Sequence, residues 1–157
     1  MITINSILGN IFKGENFEEI NFEEIKISRI DLEKRILRKK TNVGTDIGIN
    51  LDSSIKLQHG DIIGNNETKI IVKQIPEKVI LVKLKENNQN IAIILGHIIG
   101  NRHRPISIED KTILFPIQED SELEIFQRLF KDIIDHVELK IEEKIFLPHT
   151  SADVHEH

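Results

Sequence analysis

Residues 78–100 have the sequence KVILVKLKENNQNIAIILGHIIG, in which a strand pattern changes into a helix pattern. The apolar run at residues 79–84 predicts a strand, because buried strands are short and rich in branched apolar side chains. From residue 89 onward the apolar residues recur three and four positions apart, as on one face of a helix: Ile91, Ile94, Leu95, Ile98 and Ile99. Gly100 and Asn101 are predicted to end this helix.

The residues after this helix predict the rest of a ferredoxin-like domain. Further strands are predicted at three places: residues 105–108, 112–117 and 138–142. Ser121 and Glu124 have the spacing of a capping box, so we expect a second helix to begin there. The order of elements from residue 78 to residue 146 is then βαββαβ, which forms an antiparallel sheet with both helices on one face.

The first half of the chain predicts a small all-β domain. Short apolar runs alternate there with turn signals at Gly44, Gly48 and Gly60. This pattern is typical of a small antiparallel barrel or sandwich. Together the two halves place the chain in the α+β class.

Pro76 marks the predicted boundary between the two domains. The β-rich domain is expected to span residues 1–75, and the ferredoxin-like domain residues 76–147. Residues 148–157 contain almost no apolar side chains, so they predict a flexible C-terminal tail that carries histidines.

The composition argues against several classes of function. The chain has 157 residues and a net charge of −5, which argues against a nucleic-acid partner. It contains no cysteine, so disulfides and thiolate-bound metals are excluded. No segment has the pattern of a signal peptide or the length of a membrane span. We therefore expect a cytoplasmic protein that does not associate with a membrane.

Three of the seven histidines are interpreted as structural. His59 lies in a predicted turn and is expected to be solvated. His136 follows the predicted second helix, where a cation suits the helix dipole. His97 lies within the first helix, where a single histidine is more often polar surface or core filler than a metal ligand.

His103 is the main candidate for metal binding. It lies in the segment GNRHRP, residues 100–105, at a predicted corner between a helix and a strand. One histidine cannot form a metal site, but two copies related by a two-fold axis could share an ion. From spacing alone, a capping or salt-bridging histidine is the more common explanation.

The predicted tail holds three further candidates, His149, His155 and His157. A histidine-rich terminal segment is a modest signal for metal binding, and an ordinary polar tail is the alternative. Imidazole and carboxylate ligands without thiolate suit nickel, zinc or copper(II). Flexible imidazole ligands exchange readily, which is a property of a metal carrier.

The segment GNRHRP follows an apolar helix and resembles a hallmark of the urease accessory protein UreE family of nickel metallochaperones. Three segments of the first half resemble that family's strand signatures in the same order: residues 35–38 (RILR), 46–51 (DIGINL) and 57–63 (LQHGDII). The sequence FLP at residues 146–148, before a histidine-bearing segment, is similar to the family as well.

This resemblance implies a homodimer that delivers nickel and has no enzymatic activity. Its first domain would contact partner proteins, namely the GTPase of urease maturation and, through it, apo-urease. Its second domain would dimerise, so that His103 of both subunits shares a Ni2+ ion, which Zn2+ or Cu2+ could replace in vitro. His149, His155 and His157 would complete or feed this site, and the resemblance leaves open which of them binds the ion.

Two other functions stay open on the residues alone. A protein-interaction adaptor would use the β domain, and its histidines would have no role in metal binding. A metal-dependent enzyme would need a third ligand fixed beside His103 in the same subunit. The sequence contains no HExxH, P-loop or GxSxG motif that would favour an enzyme.

Overall fold

The computed structural model describes residues 1–14 and 22–149. The chain divides into two compact units, and the second begins at Pro76. Strands and helices are both present, so the predicted α+β class is confirmed. Among the described residues, no helix is long and apolar enough to cross a membrane.

The first unit is a sandwich of two small sheets. Its elements are β1 (Ile2–Ile4), β2 (Gly9–Asn10), β3 (Glu23–Ile27), α1 (Arg29–Leu32), β4 (Ile36–Lys40), β5 (Asp46–Asn50), β6 (Asp61–Gly64) and β7 (Lys69–Gln74). One sheet has the strand order β1-β5-β4 and the other β2-β6-β7-β3. Apolar side chains of both sheets form one buried cluster, which includes Ile4, Ile27, Ile49 and Val72.

Two strand pairings of this unit are parallel, so the prediction of a purely antiparallel arrangement is wrong. β1 pairs with β5, and β3 pairs with β7, in parallel register. Alternating buried residues such as Ile47 and Ile49 show which side of a strand faces the core. They carry no information on the direction of the neighbouring strand, because side chains alternate in the same way in both kinds of sheet.

The second unit has the order βαββαβ of a ferredoxin-like domain. Its elements are β8 (Glu77–Leu84), α2 (Gln89–Asn101), β9 (Ser107–Glu109), β10 (Thr112–Pro116), α3 (Glu122–Leu129) and β11 (Val137–Lys144), with a 3-10 turn at Ile134–His136 before β11. The strands are antiparallel neighbours in the order β11-β8-β10-β9, so β9 is an edge strand. It begins two residues later than predicted, after Pro105, which has no amide hydrogen to donate.

Both helices cover one face of this sheet. Ile80 and Val82 of β8 belong to a buried cluster that also contains Leu95 of α2 and Phe126 of α3. The rings of Phe126 and Phe115 lie 4.5 Å apart between centroids, at a tilted angle. Of the apolar stripe predicted for α2, Ile91, Leu95 and Ile99 are buried in this cluster.

Residues 145–149, here called the C-terminal strap, cover part of the opposite face. Phe146 of the strap is only 1% exposed. It packs in a second buried cluster with Val79, Leu81 and Leu114. The strap therefore protects apolar side chains that the helices cannot reach.

The strap ends beside the edge strand β9. The amide of His149 donates to the carbonyl of Ile106 at 2.7 Å, and the amide of Ile108 donates to Nδ1 of His149 at 3.1 Å. The sequence predicts a flexible tail from residue 148 onward, but the structure holds His149 against the sheet. Residues 150–157 of the predicted tail lie outside the described residues.

The start of α3 differs from the predicted capping box. Ser121 has a helical backbone, and its side chain makes no capping hydrogen bond. The carboxylate of Glu122 accepts instead from the amides of Gln118, at 2.5 Å, and Glu119, at 3.2 Å. A negative charge at this place satisfies amides near the helix start and suits the helix dipole.

Replacing Phe146 by alanine should lower the free energy of unfolding by about 3 kcal/mol, because the truncated side chain leaves a cavity between strap and sheet. Urea denaturation followed by circular dichroism measures the change. Leu147→Ala is the matched control, since Leu147 is the next residue and is 55% exposed. Its effect should stay below about 1 kcal/mol. Equal effects of the two substitutions would contradict the burial of Phe146.

Candidate metal centre

His103 lies at the corner where α2 ends and the chain turns toward β9. The helix ends at Asn101. The amides of Arg102 and His103 donate to the carbonyls of Ile99 and Gly100, both at 3.0 Å. These bonds close the last turn, so the backbone of His103 is held while the residue is exposed.

The backbone of His103 adopts the left-handed conformation, with a φ of +53°. This conformation is unfavourable by about 1 kcal/mol for a residue with a side chain, and glycine usually occupies it after a helix. The sequence predicts that α2 ends at Gly100 and Asn101, and the helix does end at Asn101. The left-handed position after it is taken by His103 and not by a glycine. Backbone strain of this kind is common at functional sites.

Arg104 ties the corner to two other elements. Its Nη1 donates to the carbonyl of Pro116 at the end of β10, at 2.8 Å, and its Nη2 donates to Oε1 of Glu122 in α3, at 2.5 Å. Its guanidinium also lies over the ring of Phe126, 5.7 Å from the centroid. These three contacts hold the residue that follows His103 in place.

The carboxylate of Glu122 is stabilised in its charged form. Burial raises the pKa of Glu122, but hydrogen bonds from the Gln118 amide, Arg104 and the Glu119 amide more than offset burial. The pKa of Glu122 therefore lies below its ordinary value of 4.5. Because folding favours the charged form, this carboxylate contributes to stability above its ordinary pKa.

The outer face of α2 exposes two large apolar side chains beside His97. Ile93 is 64% and Ile94 is 42% exposed, although the sequence places Ile94 on the buried stripe. His97 is also exposed, with Nε2 at 3.3 Å from Nδ2 of Asn101. His97 is therefore a surface residue rather than core filler. Neighbouring exposed apolar side chains of this kind indicate an interaction surface.

Of the three tail candidates, the structure describes His149, and His155 and His157 lie outside the described residues. Nδ1 of His149 accepts from the amide of Ile108 at 3.1 Å and lies 3.3 Å from the hydroxyl of Ser107. Both contacts involve β9, the strand that follows the corner of His103. No local pattern in the sequence predicts these contacts between His149 and β9.

His59 and His136 have structural environments, one in each unit. The prediction of a solvated His59 is wrong, because its Nδ1 accepts from the amide of Gln74 at 3.0 Å and its ring lies 5.1 Å from that of Phe12. Burial lowers the pKa of His59. Nδ1 of His136 lies 2.5 Å from a carboxylate oxygen of Glu86.

The described residues of one chain contain no group of three or more histidine, cysteine, aspartate or glutamate side chains placed to hold a metal ion. His103 and His149 belong to neighbouring elements, but no third ligand accompanies them in this part of the chain. Sequence reasoning also misses the contact of Arg104 with Glu122. These residues are 18 positions apart, and no local pattern links them.

Comparison with known proteins identifies one family and several relatives. A sequence model described as UreE urease accessory protein, N-terminal domain, matches residues 4–75. The chain is similar to the urease accessory protein UreE of Lysinibacillus sphaericus, with 34% identity over 112 residues that cover 71% of this chain and 74% of that protein. It is also similar to the protein of that name from Streptococcus vestibularis, with 29% identity over 126 residues, or 80% of this chain and 81% of that protein.

A third relative aligns over less of its length. The urease accessory protein UreE of Staphylococcus epidermidis is 37% identical over 83 residues, which cover 53% of this chain and 55% of that protein. In this comparison the chain spans about half the length of the relative. The three relatives share one name, and the family model that matches the first unit has the same name.

His103→Gly should be more stable than His103→Ala by about 1 kcal/mol, because glycine adopts the left-handed backbone without a steric penalty. Comparing these two variants removes the effect of losing the imidazole, which both lack. Urea denaturation measures the difference. At Ile98, which lies inside α2 three residues before its end, the same pair should show the opposite order, since glycine weakens a helix. Equal stability of the two His103 variants would argue against the left-handed backbone.

Glu122→Gln should lower the free energy of unfolding by about 1 kcal/mol at pH 7, because the charge-assisted hydrogen bonds of the carboxylate are weakened. The pKa of Glu122 is lowered by folding, so its contribution is present above 4.5 and is lost as the pH falls below that value. The difference between wild type and variant should therefore shrink in acid. Denaturation at several pH values measures it, with the exposed Glu124→Gln as control. A difference that grows in acid would contradict this account.

Proposed function

Because the chain belongs to the family of UreE urease accessory proteins, we propose that it is a metallochaperone that delivers nickel for assembly of the urease active site. In this role it performs no catalysis of its own. The observation that carries the proposal is that His103 is exposed while its backbone is held in place. It is an exposed residue on a backbone held by the end of α2 and by Arg104, and the helix that precedes it exposes apolar side chains.

A shared site between two copies would supply further ligands, since the described residues of one chain contain no group of three that could hold a metal ion. A single imidazole holds a divalent ion weakly, and a two-fold axis would place the same residue of a second copy opposite it. Packing of the outer face of α2 on its own copy would bury Ile93 and Ile94. This burial would stabilise the dimer by roughly 25 cal/mol for each Å² of apolar area removed from water. Such a homodimer would bring the two His103 side chains together around one ion.

The ligand chemistry fits nickel as a cargo. The chain has no cysteine, so its ligands are nitrogen and oxygen. This set suits Ni2+, with Zn2+ and Cu2+ as competitors in vitro. His155 and His157 would act as auxiliary ligands that complete or feed the site. Imidazole ligands can be replaced one at a time by those of a partner, and protons compete with the metal for them.

The proposed partners are the GTPase of urease maturation and, through it, apo-urease, in the cytoplasm. Exposed apolar side chains on the first unit support a role in protein binding, since Phe12, Ile36 and Val43 are each more than 60% exposed. The same observation favours the alternative function, an adaptor that carries no metal. Under that alternative, His103→Ala would leave the function intact.

Nickel titration calorimetry on the full chain tests the proposal. We expect about one ion for every two chains, because the site lies on a two-fold axis. His103→Ala should lower the affinity by more than about tenfold, since even hydrogen-bond partners of metal ligands account for that much. Truncation after Pro148 should weaken binding without abolishing it.

His136→Ala is the matched control, because it removes a half-exposed histidine that contacts Glu86. This variant should bind nickel as wild type does. Unchanged binding in His103→Ala would refute the site. Urease activation that survives His103→Ala would favour the adaptor.

A further inference from the structure

Two contacts tie the end of β11 and the strap to the β9 side of the sheet. Nζ of Lys144, the last residue of β11, lies 2.9 Å from Oε2 of Glu109 in β9. Farther along, His149 forms hydrogen bonds with the backbone on both sides of Ser107. Between these contacts Phe146 is buried against the sheet. The strap is therefore held at both ends and in its middle.

The amide of Ile108 in β9 donates a hydrogen bond to the ring of His149. In a paired strand, a backbone carbonyl would accept this bond. The amide of Ile108 can only donate, so Nδ1 of His149 presents a lone pair to it and carries no proton. In a neutral ring the proton then resides on Nε2. While this bond is in place, neither ring nitrogen has a free lone pair for a metal ion.

We propose that His149 is a positioning residue and not a metal ligand. It acts as a latch that fastens the strap to β9 and fixes the point from which residues 150–157 start. This inference rests on the proposed nickel function, and it separates His149 from His155 and His157 within the candidate ligand set. The sequence and the family resemblance leave open which of these three histidines binds the ion.

The latch lies close along the chain to the candidate ligand. Ile106, whose carbonyl accepts from His149, is three residues after His103, and three extended residues span at most about 10 Å. Six residues lead from His149 to His155, or roughly 20 Å when extended. The latch therefore keeps His155 and His157 within reach of the corner and raises their effective concentration at His103.

Asparagine is the substitution that separates a latch from a ligand. Its side-chain oxygen can accept from the amide of Ile108, whereas a neutral carboxamide is a poor substitute for imidazole on nickel. In the metal-free full chain, hydrogen exchange at Ile108, measured by NMR, should be about fivefold faster in His149→Ala than in wild type, because one hydrogen bond is lost. His149→Asn should restore slow exchange. Equal exchange rates in wild type and His149→Ala would overturn the latch.

Nickel calorimetry on the same variants tests the positioning role. His149→Asn should bind nickel as wild type does, and His149→Ala should bind about twofold more weakly, because the tail would then be anchored as far back as Phe146, and effective concentration falls as the tether to His155 lengthens. Equal losses in both variants would show that His149 is a ligand and overturn the proposal. Wild-type affinity in His149→Ala would overturn it as well.

The two measurements distinguish failure of the inference from failure of the proposed function. If wild type takes up no nickel, the nickel function fails and the positioning role fails with it. The exchange rate at Ile108 is measured without metal, so it still decides whether His149 latches the strap. We expect wild type to bind nickel and to protect the amide of Ile108 from exchange. We expect His149→Asn to do both as wild type does.

Discussion

Four consecutive residues of β8, from Val79 to Val82, are buried, so the sheet of the second unit must be covered on both faces. Neighbouring side chains of a strand point to opposite faces, which places two of these residues under the helices and two under the strap. Burial of apolar area is the dominant favourable contribution to folding. The need for a second cover determines where the chain runs after β11, and it brings His149 to the edge strand β9.

The same sheet supports the candidate metal centre from its other face. α2 packs on that face through Leu95 and Ile99, so the corner with His103 is carried at the end of an anchored helix. Arg104 and Glu122 then connect this corner to α3 and β10. Contacts on several sides allow a left-handed histidine to persist, because the surrounding structure determines the backbone. The proposed role as a metal carrier needs a ligand that is exposed but fixed, and His103 at this corner fits that need.

The histidines show how neighbours give one side chain different roles. His59 and His149 each accept a hydrogen bond from a backbone amide, one in each unit, and this engages the lone pair that a metal ion would need. His136 lies against the carboxylate of Glu86. His103 is exposed on a fixed backbone. A count of histidines is therefore a poor guide to metal binding, because the availability of a ring nitrogen depends on contacts that composition does not show.

The sequence by itself determined the elements of the second unit and the family resemblance of GNRHRP. These features are local, because apolar spacing reports the buried side of each element and a motif is read along the chain. It did not determine the parallel pairings of the first unit, nor the contact of Arg104 with Glu122, since both join residues distant in sequence. Only the tertiary structure decided that the ring of His149 accepts a hydrogen bond from β9 while His103 remains exposed at the corner. The reason is physical: whether an imidazole can bind a metal ion depends on which groups surround it in space, and those groups come from other parts of the chain.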